Sequence, residues 1–589
     1  MIRTHTCGEL TAAQVSEKVT LAGWIASRRD HGEIIFMDLR DKHGITQIVL
    51  DPERNRQAHE EAHKLRSEYC VRIKGIVSKR PEGTVNEKLV TGEIEIDVSE
   101  IEVLSVSETP MFEITDDIDV SEDLRMRYRY LDLRRPSMQE KLAVKHRVYK
   151  FIYDFLDKEG FISVETPMLT KSTPEGARDF LVPSRLQQGS FYALPQSPQL
   201  FKQILMVSGV EKYFQIVRCF RDEDFRADRQ PEFTQLDMEM SFVEQEDILD
   251  VSERLFKGIF SKILGIELTT PFRRMTYKDA VELYGSDKPD TRFDILLHDL
   301  SEDVAGSDFK VFNTVLASGG KVKGIAAPGY AGISRKDIDA LTSFVGEYGA
   351  KGLAYFKVEE NGLNSPITKF FPAEILEKLR RTTGASTGDM IFIVADDKDI
   401  VRDALGALRL KIGRDKGLID KKRFDLLWVV DFPLFTRDKE TGRWASEHHP
   451  FTYFREEDAG YLDSGDLDRI RSTSYDLVLN GSEIGSGSIR IHRKDIQNRI
   501  FEVLGLSAKE AGEKFGFLLE AFSYGPPPHG GIAFGLDRLT TVLTGDSSIR
   551  EVIPFPKTQK GVCLLTGAPS EVDDTQLAQL GVKTRKKTN

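Results

Sequence analysis

The first hundred residues contain short runs of β-branched and aromatic residues, interrupted at one place by a segment of helical composition. Turn-like stretches at 30–32 and 41–44 separate the first runs, and the later runs return to the period-two alternation of strands. The predicted strands are 19–27, 33–39, 45–50, 71–76 and 94–98, and the predicted helix is 53–66. Three strands, a helix and two strands follow the order of an OB-fold barrel. Another small barrel without a ligand would show the same order.

The whole chain has 589 residues and a mass of 66.6 kDa, so a single core cannot account for it. The net charge is −12, so contact with a polyanion has to come from local basic patches. Four dispersed cysteines without a C-x-x-C pair give no signal for zinc or a disulfide framework. No run reaches the ~20 apolar residues that a spanning helix needs. We therefore expect a cytoplasmic protein with no membrane contact.

Three separated stretches carry the candidate chemistry. The first, 159–169, combines a helix end, a short strand and Pro167. The second, 219–240, contains Phe220-Arg221-Asp222-Glu223 and, after a polar loop, Phe233 and Asp237. Alternating arginines and acids commonly form a solvated face. Strands flanking the loop instead favour a hairpin, where a guanidinium can hold a phosphate and an aromatic ring can stack on a base.

The third stretch runs from His529 to Gly545. Its glycines at 530, 531 and 535 allow close approach of the backbone to a ligand, and the helix that follows directs its N-terminus and Arg538 at an anion. The G-x-x-x-x-G-K-[ST] spacing is absent, so this is not a Walker loop. Arginines and metal, rather than a lysine cradle, would have to hold a phosphate here.

Together the stretches resemble the three signature motifs of class II aminoacyl-tRNA synthetases: the motif ending in Pro167, F-R-x-E at 220–223, and the glycine-rich run 531–538. Ala533 and Asp537 depart from the class-wide third motif as the aspartate branch does. The strings TPEGARDF, QSPQLFKQ, RADRQPEFTQLD and HHPFT resemble bacterial-type aspartyl-tRNA synthetases. The implied fold is multidomain α+β, with an N-terminal OB-fold barrel, an antiparallel-sheet catalytic domain and an inserted α+β GAD-like domain.

The domain boundaries follow from this resemblance and from composition. An acidic stretch followed by RMRYRYLDLRRP indicates a hinge after the barrel. The interrupting segment with its own mixed pattern is long enough to bury a core. The expected divisions are an OB-fold anticodon-binding domain at 1–105, a hinge or linker at 106–136, a catalytic domain formed by 137–290 and 421–560, an inserted domain at 291–420, and a C-terminal extension at 561–589.

The resemblance implies ATP-dependent ligation of L-aspartate to tRNA through an aspartyl-adenylate, with release of AMP and diphosphate. It assigns Arg221 to the α-phosphate and the substrate carboxylate, Arg538 to the far phosphates, and Phe233 to adenine stacking. Arg221, Arg538 and Glu483 are the implied catalytic residues. The implied ATP-binding set adds Asp222, Glu223, Gln230, Phe233, Gly535, Leu536 and Asp537. Magnesium is implied at Asp476 and Glu483, because carboxylates together with phosphates suit its octahedral oxygen shell.

The aspartate site is implied by the same resemblance. Arg490 and Lys202 would face the side-chain carboxylate, since a guanidinium rejects a carboxamide that leaves its charge unpaired. Gln199 and Asp237 would bind the amino end. The remaining implied contacts are Arg221, Glu175 in a closing loop, and His448 beside His449. Which histidine of the pair reaches the substrate stays open.

In the barrel, the resemblance suggests that Phe36 stacks on an anticodon base, although a core position would show the same alternation. Arg28 and Gln47 would read base or phosphate groups, and Glu93 would read the first anticodon base. Family members that charge only the aspartate tRNA tend to carry leucine and lysine where this chain has His31 and Gly83. We therefore predict charging of tRNA(Asp) and also tRNA(Asn), feeding a tRNA-dependent amidotransferase. A turn histidine and turn glycine in a strictly discriminating enzyme are the alternative.

Other functions fit less well. Lysyl- and asparaginyl-tRNA synthetases share barrel and core but not the strings and large insertion. A catalytically silent RNA-binding paralogue would be expected to lose one of Arg221, Arg538, Glu483 or Arg490, and all four are present. An ammonia-dependent asparagine synthetase would have no evident use for the barrel. The resemblance also implies a homodimer with the first motif at its interface.

Overall fold

The computed structural model describes residues 1–173, 177–223, 229–438 and 440–585. Glu175, predicted to contact the substrate, lies outside the described residues. The described residues divide into two compact units. The first contains 1–147, 229–231 and 540–573, and the second contains 148–173, 177–223, 232–438, 440–539 and 574–585.

The N-terminal strands form a closed barrel in the order β1-β2-β3-β5-β4, which confirms the predicted OB-fold. The elements are β1 (Lys18–His31), β2 (Ile34–Arg40), β3 (Ile45–Leu50), α1 (Arg56–Ala62), β4 (Cys70–Lys79) and β5 (Ile94–Ser105). Inward positions such as Ile35, Met37 and Leu39 form its core. Helix α1 begins later than predicted because the Asn55 side chain caps it by accepting from Ala58 N, and it also ends earlier, at Ala62.

The arginine-dense segment after the barrel is folded around buried ion pairs. Its helices are α2 (Glu122–Arg127) and α3 (Arg129–Asp132), and α4 (Pro136–Lys158) follows. Asp132 is fully buried and accepts from Arg125, Arg129 and Arg135. A buried carboxylate requires such partners, so several arginines of the predicted hinge are used inside the structure.

The next segment supplies one half of a second sheet. Its elements are β6 (Ile162–Ser163), β7 (Leu181–Pro183), β8 (Phe191–Ala193), α5 (Gln199–Val207), β9 (Lys212–Phe220), β10 (Glu232–Ser241), α6 (Gln245–Leu264), β11 (Arg273–Thr276) and α7 (Tyr277–Tyr284). Strands β9 and β10 pair antiparallel, as predicted for the hairpin of the second motif. Strand β6 lies at one edge of the sheet.

A separate five-stranded antiparallel sheet, in the order β12-β13-β16-β14-β15, interrupts this domain in sequence. Its elements are β12 (His298–Asp299), α8 (Lys310–Ala317), β13 (Lys321–Ala327), α9 (Arg335–Gly346), β14 (Ala354–Glu359), β15 (Gly362–Asn364), α10 (Ala373–Thr383), β16 (Met390–Asp396) and α11 (Lys398–Asp415). Two apolar clusters bury its strands against the helices, so the insertion has a core of its own.

The chain then returns to the second sheet. The elements are β17 (Leu426–Val430), β18 (Phe435–Arg437), β19 (Trp444–Ser446), α12 (Ala459–Ser464), β20 (Ser474–Leu479), β21 (Ser482–Ile489), α13 (Lys494–Val503), α14 (Ala508–Ala521), β22 (His529–Gly535), α15 (Leu536–Thr544) and α16 (Asp574–Leu580). In the described ranges, no helix combines the length and apolarity needed to cross a bilayer.

The eight strands of this sheet run in the order β11-β17-β20-β21-β22-β10-β9-β6. All pairings from β17 through β9 are antiparallel, and the two edge pairings are parallel. The second motif on β9–β10 therefore lies directly beside the third motif on β22. Segments about three hundred residues apart in sequence are hydrogen-bonded neighbours.

Candidate functional site

The hairpin of the second motif brings Arg221 and Phe233 together. Phe220 pairs with Glu232 across the hairpin, and the Arg221 guanidinium lies 5.1 Å from the centroid of the Phe233 ring. Asp222 N donates to Arg178 O at 3.1 Å. Glu223 follows as the last residue described before the loop. The structure thus places a cation and an aromatic face side by side, as phosphate and base binding would require.

A cluster of four buried charges lies deeper in the sheet. Strand β10 supplies Asp237 and Glu239, α5 supplies Lys202, and Arg490 follows β21. Lys202 Nζ lies 2.9 Å from Asp237 Oδ2 and 3.2 Å from Glu239 Oε2. Arg490 donates from Nε to Glu239 Oε1 at 3.0 Å. Each of the four side chains is at most 2 % exposed, so their charges must be balanced within the protein.

The protein shifts the pKa values of Asp237 and Glu239 in opposite directions. Burial raises the pKa of Asp237 to about 6, although Lys202 counteracts this rise. Burial acts on Glu239 as well, but Arg490 and Lys202 outweigh it and lower the pKa of Glu239 to about 2. Among the described residues, Asp237 Oδ1 is buried and accepts no hydrogen bond. Such an oxygen can accept from a bound cation.

Glu239 can sit this close to Arg490 because residue 531 is glycine. A Cβ at this position would overlap Glu239 Oε2 and Met238 O. Gly531 O also accepts from Arg490 Nη2 at 3.3 Å. The third motif therefore acts here by leaving room for the charged cluster on the adjacent strand.

The two histidines of HHPFT contact different groups. His448 Nε2 lies 3.3 Å from Asp476 Oδ1, and His449 Nε2 accepts from Arg490 Nη1 at 2.7 Å. Burial lowers the pKa of His449 and Arg490 lowers it further, so this imidazole is neutral. Of the pair, His449 is the one that touches the buried charge cluster.

The candidate metal ligands lie on the β20–β21 hairpin. Asp476 is on β20 and Glu483 is on β21. Burial and the negative charge of Asp476 raise the pKa of Glu483. Arg538 donates from Nη1 to the backbone carbonyl of Glu483, so the third motif reaches the same hairpin. No group of three or more possible metal-ligating side chains occurs in the described part of the chain.

The start of α15 is fixed by Asp537, which is buried and accepts from Thr234 N at 2.8 Å. Gly535 ends β22 and Leu536 begins the helix. Gln230 belongs to the first unit, where its side chain exchanges two hydrogen bonds with the backbone of Lys557, at 3.0 and 2.8 Å. Gln199, at the start of α5, is buried and donates to Gln203 Oε1 at 3.1 Å.

In the barrel, Phe36 points away from the core, between the buried Ile35 and Met37, so the core interpretation is excluded. Its ring meets His31 edge-on with centroids 5.9 Å apart. This surface aromatic pair stands on the β1–β2 hairpin, where a splayed base could stack.

The other predicted barrel residues differ in exposure. Gln47 is buried and donates to Glu95 Oε2 at 2.8 Å, whereas Glu93 is exposed. Arg28 pairs with Asp30 at 3.0 Å. Gly83 has φ +82° and open space where a Cβ would lie, so a longer side chain there would project into solvent at the cost of backbone strain.

The sequence did not identify Glu239, Gln203, His449 as the partner of Arg490, or His529. One signal was available for Glu239, since it follows Asp237 by two residues on a strand and so shares its face. Gln203, His449 and His529 each make contact with a residue that is distant in sequence. Their roles become visible only in the folded sheet.

The described fold and site match known families. Residues 121–559 match the family model described as tRNA synthetases class II (D, K and N), and residues 19–104 match an OB-fold nucleic acid binding domain. These two matches cover the sheet with the charged cluster and the barrel with the surface aromatic pair.

Curated relatives match the whole chain. The aspartate--tRNA(Asp/Asn) ligase of Natranaerobius thermophilus is 56% identical, with all of both chains covered. The protein of that name from Moorella thermoacetica is also 56% identical, with 100% of this chain and 98% of that one covered.

Among solved structures, asparaginyl-tRNA synthetase of Pyrococcus horikoshii with asparaginyl-adenylate has a TM-score of 0.59 at 20% identity, covering 95% of this chain and 99% of that chain. This structural likeness shows the fold. Because the family model spans most of the chain and full-length relatives share more than half of its residues, the chain belongs to the class II tRNA synthetases, in the aspartate--tRNA ligase family.

Proposed function

We propose that this protein ligates L-aspartate to tRNA(Asp) and to tRNA(Asn), using ATP and forming an aspartyl-adenylate. The observation that carries the proposal is the buried cluster of Lys202, Asp237, Glu239 and Arg490. Two cations at fixed positions suit a carboxylate, and the unused Asp237 Oδ1 suits an ammonium group. Aspartate is a small molecule that carries both a carboxylate and an ammonium group. Full-length relatives at 56% identity bear the name of this activity.

The first step joins the α-carboxylate of aspartate to the α-phosphorus of ATP and releases diphosphate. The substrate carboxylate is itself the nucleophile, so the protein has to position it and neutralise charge. We assign charge neutralisation to Arg221 and Arg538 and adenine stacking to Phe233. The arrangement of Arg221 over Phe233 supports a shared role at the nucleotide. In the second step, the terminal adenosine hydroxyl of tRNA attacks the adenylate and AMP leaves.

Substrate binding should rearrange Arg490. Its five N–H groups are already donated to Glu239, His449, Ser488 and Gly531 O. A substrate carboxylate at this guanidinium therefore replaces one of the neutral acceptors, His449 or Ser488. Asparagine would offer a carboxamide in exchange, and the buried positive charge would gain no negative partner.

Asp476 and Glu483 are the residues that would hold Mg²⁺. Two carboxylates whose proximity raises the pKa of one of them are suited to a divalent cation, and phosphate oxygens would complete its shell. When bound, the ion would neutralise phosphate charge. Arg538 contacts the backbone carbonyl of Glu483, so the proposed phosphate-binding arginine lies beside this hairpin.

We also propose a cytoplasmic homodimer and an amidotransferase that converts the product on tRNA(Asn). An exposed edge strand supports the homodimer: β6, in the first motif, leaves both of its residues exposed, and Ile162 is 59 % exposed. An exposed edge strand offers unpaired backbone groups with which another chain can pair. The amidotransferase follows from chemistry, since aspartate on tRNA(Asn) must be amidated before it can serve as asparagine.

The decisive experiment charges two transcripts, one with the aspartate and one with the asparagine anticodon, using ATP and magnesium. We expect aspartate on both. The double variant His31→Leu/Gly83→Lys should lose charging of tRNA(Asn) by about tenfold or more while keeping tRNA(Asp), since one lost base contact is worth roughly 1–3 kcal/mol. His43→Leu, another exposed barrel histidine, is the matched control.

Charging of tRNA(Asp) alone by the natural protein would leave a discriminating ligase and refute the relaxed specificity. Charging of neither transcript would refute the proposed activity. ATP–pyrophosphate exchange should be equal in all variants, because the substitutions lie in the barrel.

A pH dependence follows from Asp237. Its carboxyl must be ionised to bind the substrate ammonium, and its pKa in the free protein is about 6. The KM for aspartate should be constant above this pH and rise as pH falls below it, by about tenfold per unit. The measurement is pyrophosphate exchange across this pH range. Asp237→Asn should show a high KM throughout without the acidic rise, and a rise that persists in this variant would assign it to another group.

A further inference from the structure

A chain of hydrogen bonds runs from a backbone carbonyl to Gln199. His529 Nδ1 lies 2.8 Å from Pro527 O, and His529 Nε2 lies 3.3 Å from Gln203 Nε2. Gln203 Oε1 lies 3.1 Å from Gln199 Nε2. Gln199, Gln203 and His529 are all buried, and Gln203 and His529 have no exposed surface.

The Pro527 carbonyl at one end of these hydrogen bonds decides which atom is the donor and which the acceptor in each of them. Pro527 O can only accept, so His529 Nδ1 must carry a proton. Burial lowers the pKa of His529 to about 4, so the ring is neutral at physiological pH and Nε2 has no proton. Nε2 therefore accepts, and the group that faces it must be the NH₂ of Gln203.

The same reasoning continues along α5. With its NH₂ turned to His529, Gln203 presents Oε1 to Gln199, one helical turn away. Gln199 must then direct its own NH₂ at Gln203. Its Oε1 is left over, and in the described part of the chain no hydrogen bond uses this atom. An amide oxygen fixed in this way is an acceptor, suited to an ammonium group and unsuited to a carboxylate.

We infer that Gln203 is a positioning residue, which with His529 fixes the Gln199 amide so that its oxygen accepts from the amino group of aspartate. This rests on the proposed function. Lys202, next to Gln203 on α5, binds Asp237, whose unpaired Oδ1 is the second acceptor for the same ammonium. The Pro527 carbonyl thereby decides, through His529 and Gln203, that the Gln199 oxygen and not its NH₂ faces the amino group. Neither His529 nor Gln203 touches the substrate.

The test is ATP–pyrophosphate exchange by the full chain with Gln203→Met, which keeps size and removes both hydrogen-bonding groups. We expect the KM for aspartate to rise about tenfold or more, with the KM for ATP unchanged. Succinate, which is aspartate without the amino group, should inhibit the variant and the natural protein equally. Gln139→Met, on α4, is the matched control, since its amide donates to the backbone carbonyl of Leu133 and takes no part in the hydrogen bonds between His529, Gln203 and Gln199.

A double-mutant cycle separates positioning from general structure. Because Gln203 acts only through Gln199, Gln199→Met/Gln203→Met should bind aspartate no worse than Gln199→Met alone. Additive effects, or equal losses for succinate and aspartate, would overturn the inference. If the natural protein shows no aspartate-dependent exchange, the proposed function fails; if it does and Gln203→Met matches it, only the inference fails.

A crystal structure of the natural protein with L-aspartate provides a test without a variant. The ammonium should lie within about 3.2 Å of the Gln199 amide, with Gln203 still bridging to His529. An ammonium beyond hydrogen-bond reach of Gln199 would overturn the inference even if Gln203→Met did not fold.

Discussion

Replacing Arg490 by lysine should reduce aspartate-dependent pyrophosphate exchange by about a thousandfold. The guanidinium holds both oxygens of Glu239 and also contacts His449, Ser488 and Gly531 O. A lysine has three donors and no planar fork, so it cannot serve Glu239 and a substrate carboxylate together. Losing the hydrogen bonds of a buried charge pair costs about 2–5 kcal/mol of binding free energy, and a thousandfold loss of exchange corresponds to about 4 kcal/mol.

Arg493→Lys is the matched control, three residues along the chain. Arg493 is mainly exposed and pairs with Asp495 at the surface, so this substitution should leave exchange within about twofold. A separate ATP-binding measurement checks that Arg490→Lys retains the nucleotide site. Wild-type exchange by a folded Arg490→Lys protein would contradict the role of the cluster in aspartate binding.

The second large effect is expected for Lys202→Met, which removes the charged amino group and keeps an unbranched side chain one atom shorter. The variant would leave Asp237 and Glu239 without the cation that lies 2.9 and 3.2 Å from them. We expect exchange to fall by at least about a hundredfold and the free energy of unfolding to fall by about 3 kcal/mol. The pKa of Asp237 should also rise further, since Lys202 now holds it down. Residual activity should therefore require a higher pH.

The matched control is Lys212→Met. Lys212 donates to Glu159 O at 2.9 Å and lies near the Phe161 ring, outside the charged cluster. It should affect stability by about 1 kcal/mol and leave the KM for aspartate unchanged. Thermal denaturation with and without aspartate separates the two effects: aspartate should stabilise the natural protein and Lys212→Met, but not Lys202→Met. Stabilisation of Lys202→Met to the same extent would refute the assignment.

The sequence by itself determined the local elements and the family. Period-two alternation predicted the barrel strands, and the outcome for Phe36 follows from the same alternation once Ile35 and Met37 are buried. Motif spacing predicted the β9–β10 hairpin and the β22–α15 junction. These features are readable because they depend on neighbours a few residues apart.

Only the tertiary structure decided which side chains meet. Arg490 and Glu239 are 251 positions apart, and Gln203 and His529 are 326 apart. Their contact depends on β22 pairing with β10 and on the absence of a side chain at Gly531. The choice between His448 and His449 as the partner of Arg490 was decided in the same way. No local pattern encodes such contacts, because they are set by the pairing of remote strands in one sheet.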